Sequence, residues 1–329
     1  STQPDALPDG TAWKETLKQS RLTEGGPLVL DAAGRLYLRR YWQLEQDIAQ
    51  ELTARSALPP IIADDAPWLE ARLGELFPGD PDSSQRRAAR NALRHRVSLL
   101  CGGPGTGKTT TVAAIVALII QGRLHDTNAA PKVMLLAPTG KSAARLGEAV
   151  RKAKTRIQAP EEILQEIPEQ ATTLHRALGM QRDGMRFRRS ADLPLEADVI
   201  IIDEASMVDL GLMRQLLNAA PREATLLIVG DPDQLSSVEA GSVLRDLVSA
   251  SADTWWHDRV TQLTKPYRYD DRQPLGQLVA ATRTGDGAPS AALLDAAADD
   301  VVWRPSAGVQ PEPDRAAAHG AVTLPAPDP

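Results

Sequence analysis

The chain has 329 residues, and its 42% hydrophobic and 24% charged content is ordinary for a globular protein. Its net charge of −6 excludes a global basic field, so any binding to nucleic acid must come from local basic patches. The single cysteine, Cys101, excludes an internal disulfide and fits a reducing compartment, so we expect a cytoplasmic protein. No membrane span or signal peptide is expected. Because the chain begins without Met, we expect a processed form or a fragment.

Residues 1–78 are predicted to form a separate, mainly helical region that docks a partner. The pattern indicates a short hairpin around Ala33-Gly34 and a helix from about Tyr41, with an apolar stripe of Leu44, Ile48 and Leu52. The stretch "PWLEARLGELF" predicts a second helix. The segment near Tyr41-Trp42 is the candidate partner contact, and packing into the core is the alternative.

Residues 79–255 alternate between strand and helix patterns, beginning with the helix "SSQRRAARNALRH" capped by Ser83 or Ser84. The strands "VSLLC", "KVMLLA", "DVIIID" and "TLLIV" are each separated from the next by an amphipathic or apolar helix. This order predicts an α/β fold with a parallel sheet covered by helices.

Three further segments complete the predicted organisation. Asp183-Gly184 is a type I′ turn signal, which indicates a small basic hairpin at about 178–190. After about residue 255, through residue 305, the periodic pattern weakens. The Pro- and Ala-rich residues 306–329 have no core periodicity and are expected to be disordered.

The sequence "GGPGTGKTT" follows a predicted strand and opens a predicted helix, which is the context that a P-loop requires. Glycines let successive backbone N–H groups surround phosphate oxygens, and the helix amino end adds positive potential. A Gly-rich turn that matches by chance is the alternative. The predicted nucleotide ligands are Gly102, Gly103, Pro104, Gly105, Thr106, Gly107, Lys108, Thr109 and Thr110.

Carboxylates end the predicted strand "VIIID", where Asp203 and Glu204 reach the carboxyl edge of the sheet. We expect Asp203 to hold Mg²⁺ together with Thr109, and Glu204 to activate the attacking water. Solvated acids at a strand end are the alternative. The next strand ends in "GDPDQL", whose Gln234 amide is expected to face the terminal phosphate of ATP, with a capped turn as the alternative.

Together these segments resemble the superfamily 1 DNA helicases and, within them, the RecD branch. The resemblance covers roughly residues 30–290 and rests on blocks in the family's order. They are "SSQRRAA", "CGGPGTGKTTT", "LLAPTGKSAARL", "ATTLHRALG", "VIIIDEASMVD", "LIVGDPDQLSSVEAGSVLRDL" and "LTKPYRY". The resemblance implies that residues 79–255 form a RecA-like P-loop motor domain and that residues 256–305 begin an incomplete second motor domain.

The resemblance implies roles for single residues. Gln85 matches the glutamine that recognises adenine, and Gln234 matches the one that couples the terminal phosphate to DNA contacts. Arg268 matches the arginine that reaches the phosphate from the second motor domain, although alone it would be taken for a surface arginine. Gln234 and Arg268, with Lys108 and Glu204, are the predicted catalytic residues, and Gln85 is a further predicted nucleotide ligand.

The resemblance also implies DNA contacts and partners. Thr139, Thr173 and His175 match blocks that touch the DNA backbone, although a histidine of this kind is more often packed in the fold. The hairpin arginines 182, 186, 188 and 189 either contact DNA or form a solvated face. The implied activity is ATP-dependent 5′-to-3′ translocation within a helicase–nuclease for double-strand break repair, with RecB- and RecC-like subunits in a heterotrimer.

The sequence departs from the family after Arg268, because the later motifs of the second motor domain find no match. Coupled hydrolysis and strand separation by this chain alone are therefore in doubt, and no nuclease site is expected. Two other functions remain open: a P-loop ATPase switch, and a subunit that holds ATP only for assembly.

Overall fold

The computed structural model describes residues 9–62, 66–181, 186–234, 241–251, 256–265, 267, 273–285, 287–295, 302–305 and 320–323. The chain divides into two compact units. The first contains Ser1–Cys101 and Lys108–Gln262, and the second contains Gly102–Gly107 and Leu263–Pro329.

The amino-terminal part of the first unit is mainly helical. It comprises α1 (Gly10–Lys18), the antiparallel pair β1 (Leu28–Leu30) and β2 (Leu36–Leu38), α2 (Arg39–Ser56), α3 (Leu69–Leu76) and α4 (Ser84–Arg94). The predicted hairpin is confirmed, with Gly34 at φ +78° in its turn. The predicted cap is Ser83, whose side chain accepts from the Arg86 N–H.

The rest of the first unit alternates strands and helices. They are β3 (Val97–Gly102), α5 (Lys108–Thr127), β4 (Val133–Ala137), α6 (Gly140–Lys154), α7 (Glu161–Glu166), β5 (Ala171–Thr173), α8 (Leu174–Leu178), β6 (Val199–Ile202), α9 (Leu210–Ala219), β7 (Thr225–Gly230), α10 (Val243–Ala250) and β8 (Val260–Leu263).

Six of these strands form one sheet in the order β5-β4-β6-β7-β3-β8. The pairs β5/β4, β4/β6, β6/β7 and β7/β3 are all parallel. Every residue of β3, β6 and β7 is buried, because helices cover the central strands on both faces. The predicted α/β fold with a helix-covered parallel sheet is therefore confirmed.

Helix α2 packs against α9, and its Ile48 and Leu52 lie in the same buried cluster as Leu216 and Leu217. The separate region predicted for residues 1–78 is thus not a separate compact unit, because the apolar stripe of α2 is covered by the motor domain. Tyr41 is partly buried against this cluster, which favours the packing alternative for that residue.

The boundary predicted at residue 256 also lies elsewhere. Strand β8 joins the first sheet beside β3, and the second unit begins at Leu263. That unit contains α11 (Pro274–Thr284), α12 (Gly287–Asp295) and the antiparallel pair β9 (Val302–Pro305) and β10 (Gly320–Thr323). Strand β10 falls within the tail predicted to be disordered, and the other tail residues lie outside the described residues. No helix of the described parts is long and apolar enough to cross a membrane.

Candidate nucleotide-binding site

Residues 102–107 join β3 to α5 in a tight loop. Gly105 and Gly107 have φ values of +79° and +84°, in the left-handed region that suits glycine. The buried Thr106 side chain donates to the Gly103 carbonyl at 2.8 Å and so fixes the loop from within. A Cβ added at Gly102 would lie 2.6 Å from Thr106 Oγ1. The loop therefore needs these small residues, as expected of a backbone that wraps an anion.

Lys108 and Thr109 form the first turn of α5, so their positions follow from where the loop ends. Burial raises the pKa of both Asp203 and Cys101, and the Lys108 ammonium partly opposes the rise at both of these strand ends. Lys108 is therefore brought close to the acidic end of β6, as the sequence predicts.

Asp203 follows β6 directly, and its N–H donates to the Leu136 carbonyl at 2.9 Å. Burial, and then the adjacent Glu204 carboxylate, raise the pKa of Asp203 to about 6. Glu204 has φ +53°, an uncommon left-handed conformation for a residue with a side chain. Such conformations cost roughly 1–3 kcal/mol and concentrate at functional sites.

Asp231 and Gln234 follow β7, whose Gly230 is in register with Cys101 of β3. The buried Asp231 carboxylate accepts from the Asp233 N–H at 3.1 Å and from Gln234 Nε2 at 3.4 Å. Burial, and then the Asp231 carboxylate, raise the pKa of Cys101. Gln234 is therefore tied to the carboxyl edge next to the P-loop strand, and its amide nitrogen is oriented by Asp231.

Gln85 lies in the first turn of α4 and is half-buried. Its Nε2 donates to Thr111 Oγ1 of α5 at 3.2 Å. The Gln85 side chain, which is predicted to recognise adenine, therefore contacts α5 about one turn after Lys108.

Arg268 lies outside the described residues. Its neighbour Tyr267 belongs to the same unit as the P-loop, and the Tyr267 N–H donates to the Gly105 carbonyl at 2.8 Å. Tyr267 therefore lies directly beside the phosphate loop.

Of the predicted DNA contacts, Thr139 follows β4 and Thr173 is the last residue of β5, and these two strands are neighbours in the sheet. Both hydroxyls are helix N-caps: Thr139 accepts from the Ser142 N–H at 3.1 Å, and Thr173 from the Arg176 N–H at 3.2 Å. A phosphate contact from either residue would share the hydroxyl with its cap. These side chains lie on the same sheet edge as Asp203.

His175 is half-buried, and its ring centroid lies 6.2 Å from that of Phe187. Met180 and Phe187 form a single antiparallel bridge, which supplies the arms of the predicted hairpin. Its turn and Arg182 lie outside the described residues. Arg189 donates to the Pro194 carbonyl at 2.7 Å, so this arginine stabilises a local loop.

Among the described residues, no three His, Cys, Asp or Glu side chains converge as a metal cage. The residues present do fit Mg²⁺, which commonly takes one or two carboxylates and completes its octahedron with phosphate and water oxygens. Asp203 directly follows β6, and Thr109 lies in the first turn of α5, so each offers an oxygen of this kind. The mutual repulsion of Asp203 and Glu204 also favours a bound cation.

Sequence reasoning did not identify Asp231 as the residue that holds Gln234, or Thr111 as the partner of Gln85. A signal for Asp231 was present, because a carboxylate directly after a fully buried strand needs hydrogen-bond donors nearby. The role of Thr111 could not be predicted, because a threonine in an apolar helix is equally expected to pack in the core.

The fold is that of a RecA-like P-loop domain, and a family model described as "AAA domain" matches residues 85–240. The chain is 39% identical over 297 residues to the RecBCD enzyme subunit RecD of Mycolicibacterium smegmatis, covering 90% of this chain and 51% of the relative. It is 34% identical over 256 residues to the ATP-dependent RecD2 DNA helicase of Deinococcus radiodurans, covering 74% of this chain and 29% of that relative.

These similarities to proteins named RecD agree with the resemblance of the chain's motifs to the RecD branch. The chain spans about half the length of the curated mycobacterial relatives that it matches. Among solved structures, it is similar to Bacteroides Pif1 bound to single-stranded DNA, with a TM-score of 0.41 and 19% identity over 68% of this chain and 50% of that one.

Proposed function

We propose that this chain contains the ATP-binding motor domain of a 5′-to-3′ DNA helicase subunit of the RecBCD type. The observation that supports the proposal is the sheet topology: Asp203 follows β6, the Asp231–Gln234 pair follows β7, and the loop that leads to Lys108 follows β3, and these strands are parallel neighbours in the order β6-β7-β3. Their carboxyl edge is where ligands bind in open α/β sheets.

Each residue has a chemical role in this proposal. The P-loop N–H groups and the Lys108 ammonium bind the phosphates of ATP, and Gln85 recognises the adenine edge. Glu204 orients the attacking water and accepts its proton. Gln234 contacts the terminal phosphate, and Arg268 stabilises the charge that develops on it. Asp203 and Thr109 would hold Mg²⁺, which neutralises phosphate charge when bound.

DNA binding is proposed at the same sheet edge, on the far side of β6 from the P-loop strand. Thr139, Thr173 and His175 lie there, so a change in the nucleotide-bound state of Asp203 and Gln234 has a short path to a DNA contact. Translocation requires that each nucleotide state favour a different arrangement of the motor. RecB- and RecC-like proteins are the proposed partners, because the RecBCD subunits named RecD are similar to this chain.

The experiment that tests the activity is single-stranded-DNA-stimulated ATP hydrolysis by the full-length protein and its Lys108→Ala variant. The matched control is Lys152→Ala, which removes an exposed lysine of α6. We expect turnover to be lost only in Lys108→Ala. Equal turnover in Lys108→Ala and the wild type would contradict the proposed site.

Polarity is tested separately by strand displacement on duplexes that carry either a 5′ or a 3′ single-stranded extension. Unwinding from the 5′ extension is expected. Turnover without unwinding from either extension would favour the alternative of a P-loop switch.

A further inference from the structure

Residues 231–234 form a tight turn directly after β7, and two of its backbone N–H groups donate within the turn. The Asp231 carboxylate accepts from the Asp233 N–H at 3.1 Å, and the Asp231 carbonyl accepts from the Gln234 N–H at 3.2 Å. The carbonyls of Pro232 and Gln234 instead accept from a residue outside the turn. The position of the turn therefore depends on what binds those two carbonyls.

That residue is Arg245, in the first turn of α10. Its Nε donates to the Pro232 carbonyl at 3.1 Å, and its Nη2 donates to the Gln234 carbonyl at 3.5 Å. The planar guanidinium can hold two acceptors at once because its N–H groups form a fixed fork. One side chain therefore spans the turn on either side of Asp233.

Helix α10 is itself fixed against the end of β7. The adjacent Leu244 is buried, and a Cβ added at Gly230 would lie 2.6 Å from Leu244 Cδ2. The same Cβ would lie 3.2 Å from the backbone nitrogen of Ala205, which directly follows Glu204. Gly230 thus lets α10 and the segment after Glu204 pack directly on the strand end. Arg245 therefore extends from a helix that is anchored at the carboxyl edge of the sheet.

The Gln234 residue is thus held from two directions. Asp231 binds its side-chain Nε2 at 3.4 Å, and Arg245 binds its main-chain carbonyl. The first bond is long, and Arg245 is exposed, so that its bonds compete with water. Because neither contact is strong alone, the orientation of the Gln234 amide depends on both.

We infer that Arg245 is a positioning residue for Gln234, which it holds through the two carbonyls so that the amide stays at the carboxyl edge of the sheet. The inference rests on the proposed function, in which Gln234 contacts the terminal phosphate of ATP. Arg245 acts through the turn rather than by touching the nucleotide. Its loss should slow hydrolysis and leave nucleotide affinity nearly unchanged, because the P-loop and Lys108 supply most of the phosphate contacts.

The first measurement is hydrogen–deuterium exchange of the nucleotide-free chain, followed by mass spectrometry of peptides that contain residues 231–234. In Arg245→Gln, the Asp233 and Gln234 amides should exchange about tenfold faster, the equivalent of one net hydrogen bond lost from the turn. Peptides from β4 and β6 should be unchanged, which shows that the fold is intact. Unchanged exchange in the turn, or equally faster exchange in all three segments, would overturn the inference.

The second measurement separates turnover from binding in the full-length protein. Arg245→Gln should reduce the kcat of single-stranded-DNA-stimulated ATP hydrolysis about tenfold, with the Kd of a fluorescent ATP analogue within about twofold of the wild type. Arg245→Lys keeps the charge but lacks the fork, so its kcat should lie between those of Arg245→Gln and the wild type. Wild-type kcat in either variant, or an equal loss of affinity and turnover, would overturn the inference.

The matched control is Arg151→Gln, which removes an arginine of α6 that is 58% exposed and pairs with Glu169 at 3.3 Å. It should retain the wild-type kcat, Kd and exchange in the turn. An equal loss of kcat in Arg151→Gln and Arg245→Gln would mean that any exposed arginine has this effect, and would contradict the inference.

A double-mutant cycle shows whether Arg245 acts through the Gln234 side chain. Gln234→Ala removes the amide and keeps the main-chain carbonyl, so Arg245→Gln should cause little further loss of kcat in that background. Losses that multiply would mean that Arg245 acts by another route, which the inference does not allow. Failure of the proposed function would instead appear as wild-type turnover in Gln234→Ala, and the exchange result would still decide whether Arg245 holds the turn.

Discussion

Gln85 Nε2 donates a hydrogen bond to Thr111 Oγ1 at 3.2 Å, which joins the helix before β3 to the helix after it. The bond limits where the Gln85 amide can point, and it places the amide beside the helix that begins with Lys108. If Gln85 recognises adenine, the bond to Thr111 orients its amide before the base binds.

Gln85→Ala is therefore expected to weaken ATP binding about tenfold, the equivalent of a net hydrogen bond of about 1–1.5 kcal/mol. Binding of inorganic triphosphate should be unchanged, because it lacks the base. Competition against a fluorescent ATP analogue measures both. Equal weakening of the two ligands would remove the adenine role.

Glu204→Gln should retain nucleotide binding and reduce the rate of hydrolysis by roughly 10²–10⁴-fold, the usual contribution of a general base. Glutamine keeps the size of the side chain at a position with φ +53° but cannot accept the proton. Single-turnover hydrolysis and analogue binding are measured on the full-length protein. Glu196→Gln, which changes a carboxylate 73% exposed, is the matched control. If binding fell as much as turnover, Glu204 would be structural.

The alternation of central strands and helices was predictable because each strand is an apolar run bounded by a turn and each helix has its own periodicity. Strand β5 was not, since the three residues Ala171–Thr173 are too short to show a period and owe their conformation to pairing with β4. The position of β8 at the edge of the first sheet likewise depends on tertiary contacts, which the local sequence does not specify.

The site was predictable where a residue type and its position after a strand specify the chemistry, as for Lys108 and Asp203. The packing of α2 against α9 was not predictable from the sequence. The stripe of Ile48 and Leu52 predicts that α2 has a buried face but does not say which element covers it. Arg55 gave no sign of burial, because an arginine in the last turn of a helix is usually solvated.

Arg55 is 1% exposed and caps the carboxyl end of α9. Its guanidinium donates to the carbonyls of Ala220 at 2.8 Å, Pro221 at 2.7 Å and Arg222 at 3.1 Å, and Nε pairs with Glu51 at 2.8 Å. Burial lowers the pKa of Arg55, and the Glu51 carboxylate partly opposes this.

We expect Arg55→Met to reduce the free energy of unfolding by about 3 kcal/mol, because it removes the donors of several buried carbonyls. Arg151→Met, on the exposed side of α6, should change it by less than about 0.5 kcal/mol. Urea denaturation followed by circular dichroism measures both. Equal stability of the two variants would mean that water replaces the guanidinium.

Cys101 is buried, and burial with the nearby Asp231 carboxylate raises the pKa of its thiol to about 12. Only the thiolate is nucleophilic, so at pH 8 ionisation alone should make alkylation about a thousandfold slower than for a thiol of pKa 9.0. The rate of iodoacetamide labelling in buffer and in urea measures this. Fast labelling of the folded chain would show that the end of β3 opens to solvent.

The raised pKa of Cys101 also makes the free energy of unfolding depend on pH. The folded state holds the Cys101 proton more tightly than the unfolded state, so its contribution is present below pH 9 and declines as the pH rises toward 12. Cys101→Ala should therefore lessen the alkaline loss of stability, as measured by urea unfolding at pH 8 and pH 10. An identical loss in the variant would assign it to other groups.

The central claim is tested most directly by a crystal structure of this chain with Mg²⁺ and a non-hydrolysable ATP analogue. The account predicts that Lys108 Nζ and the Gln234 amide contact the terminal phosphate, with the metal between that phosphate and the side chains of Thr109 and Asp203. A nucleotide bound elsewhere, or one whose terminal phosphate contacts none of these side chains, would contradict it.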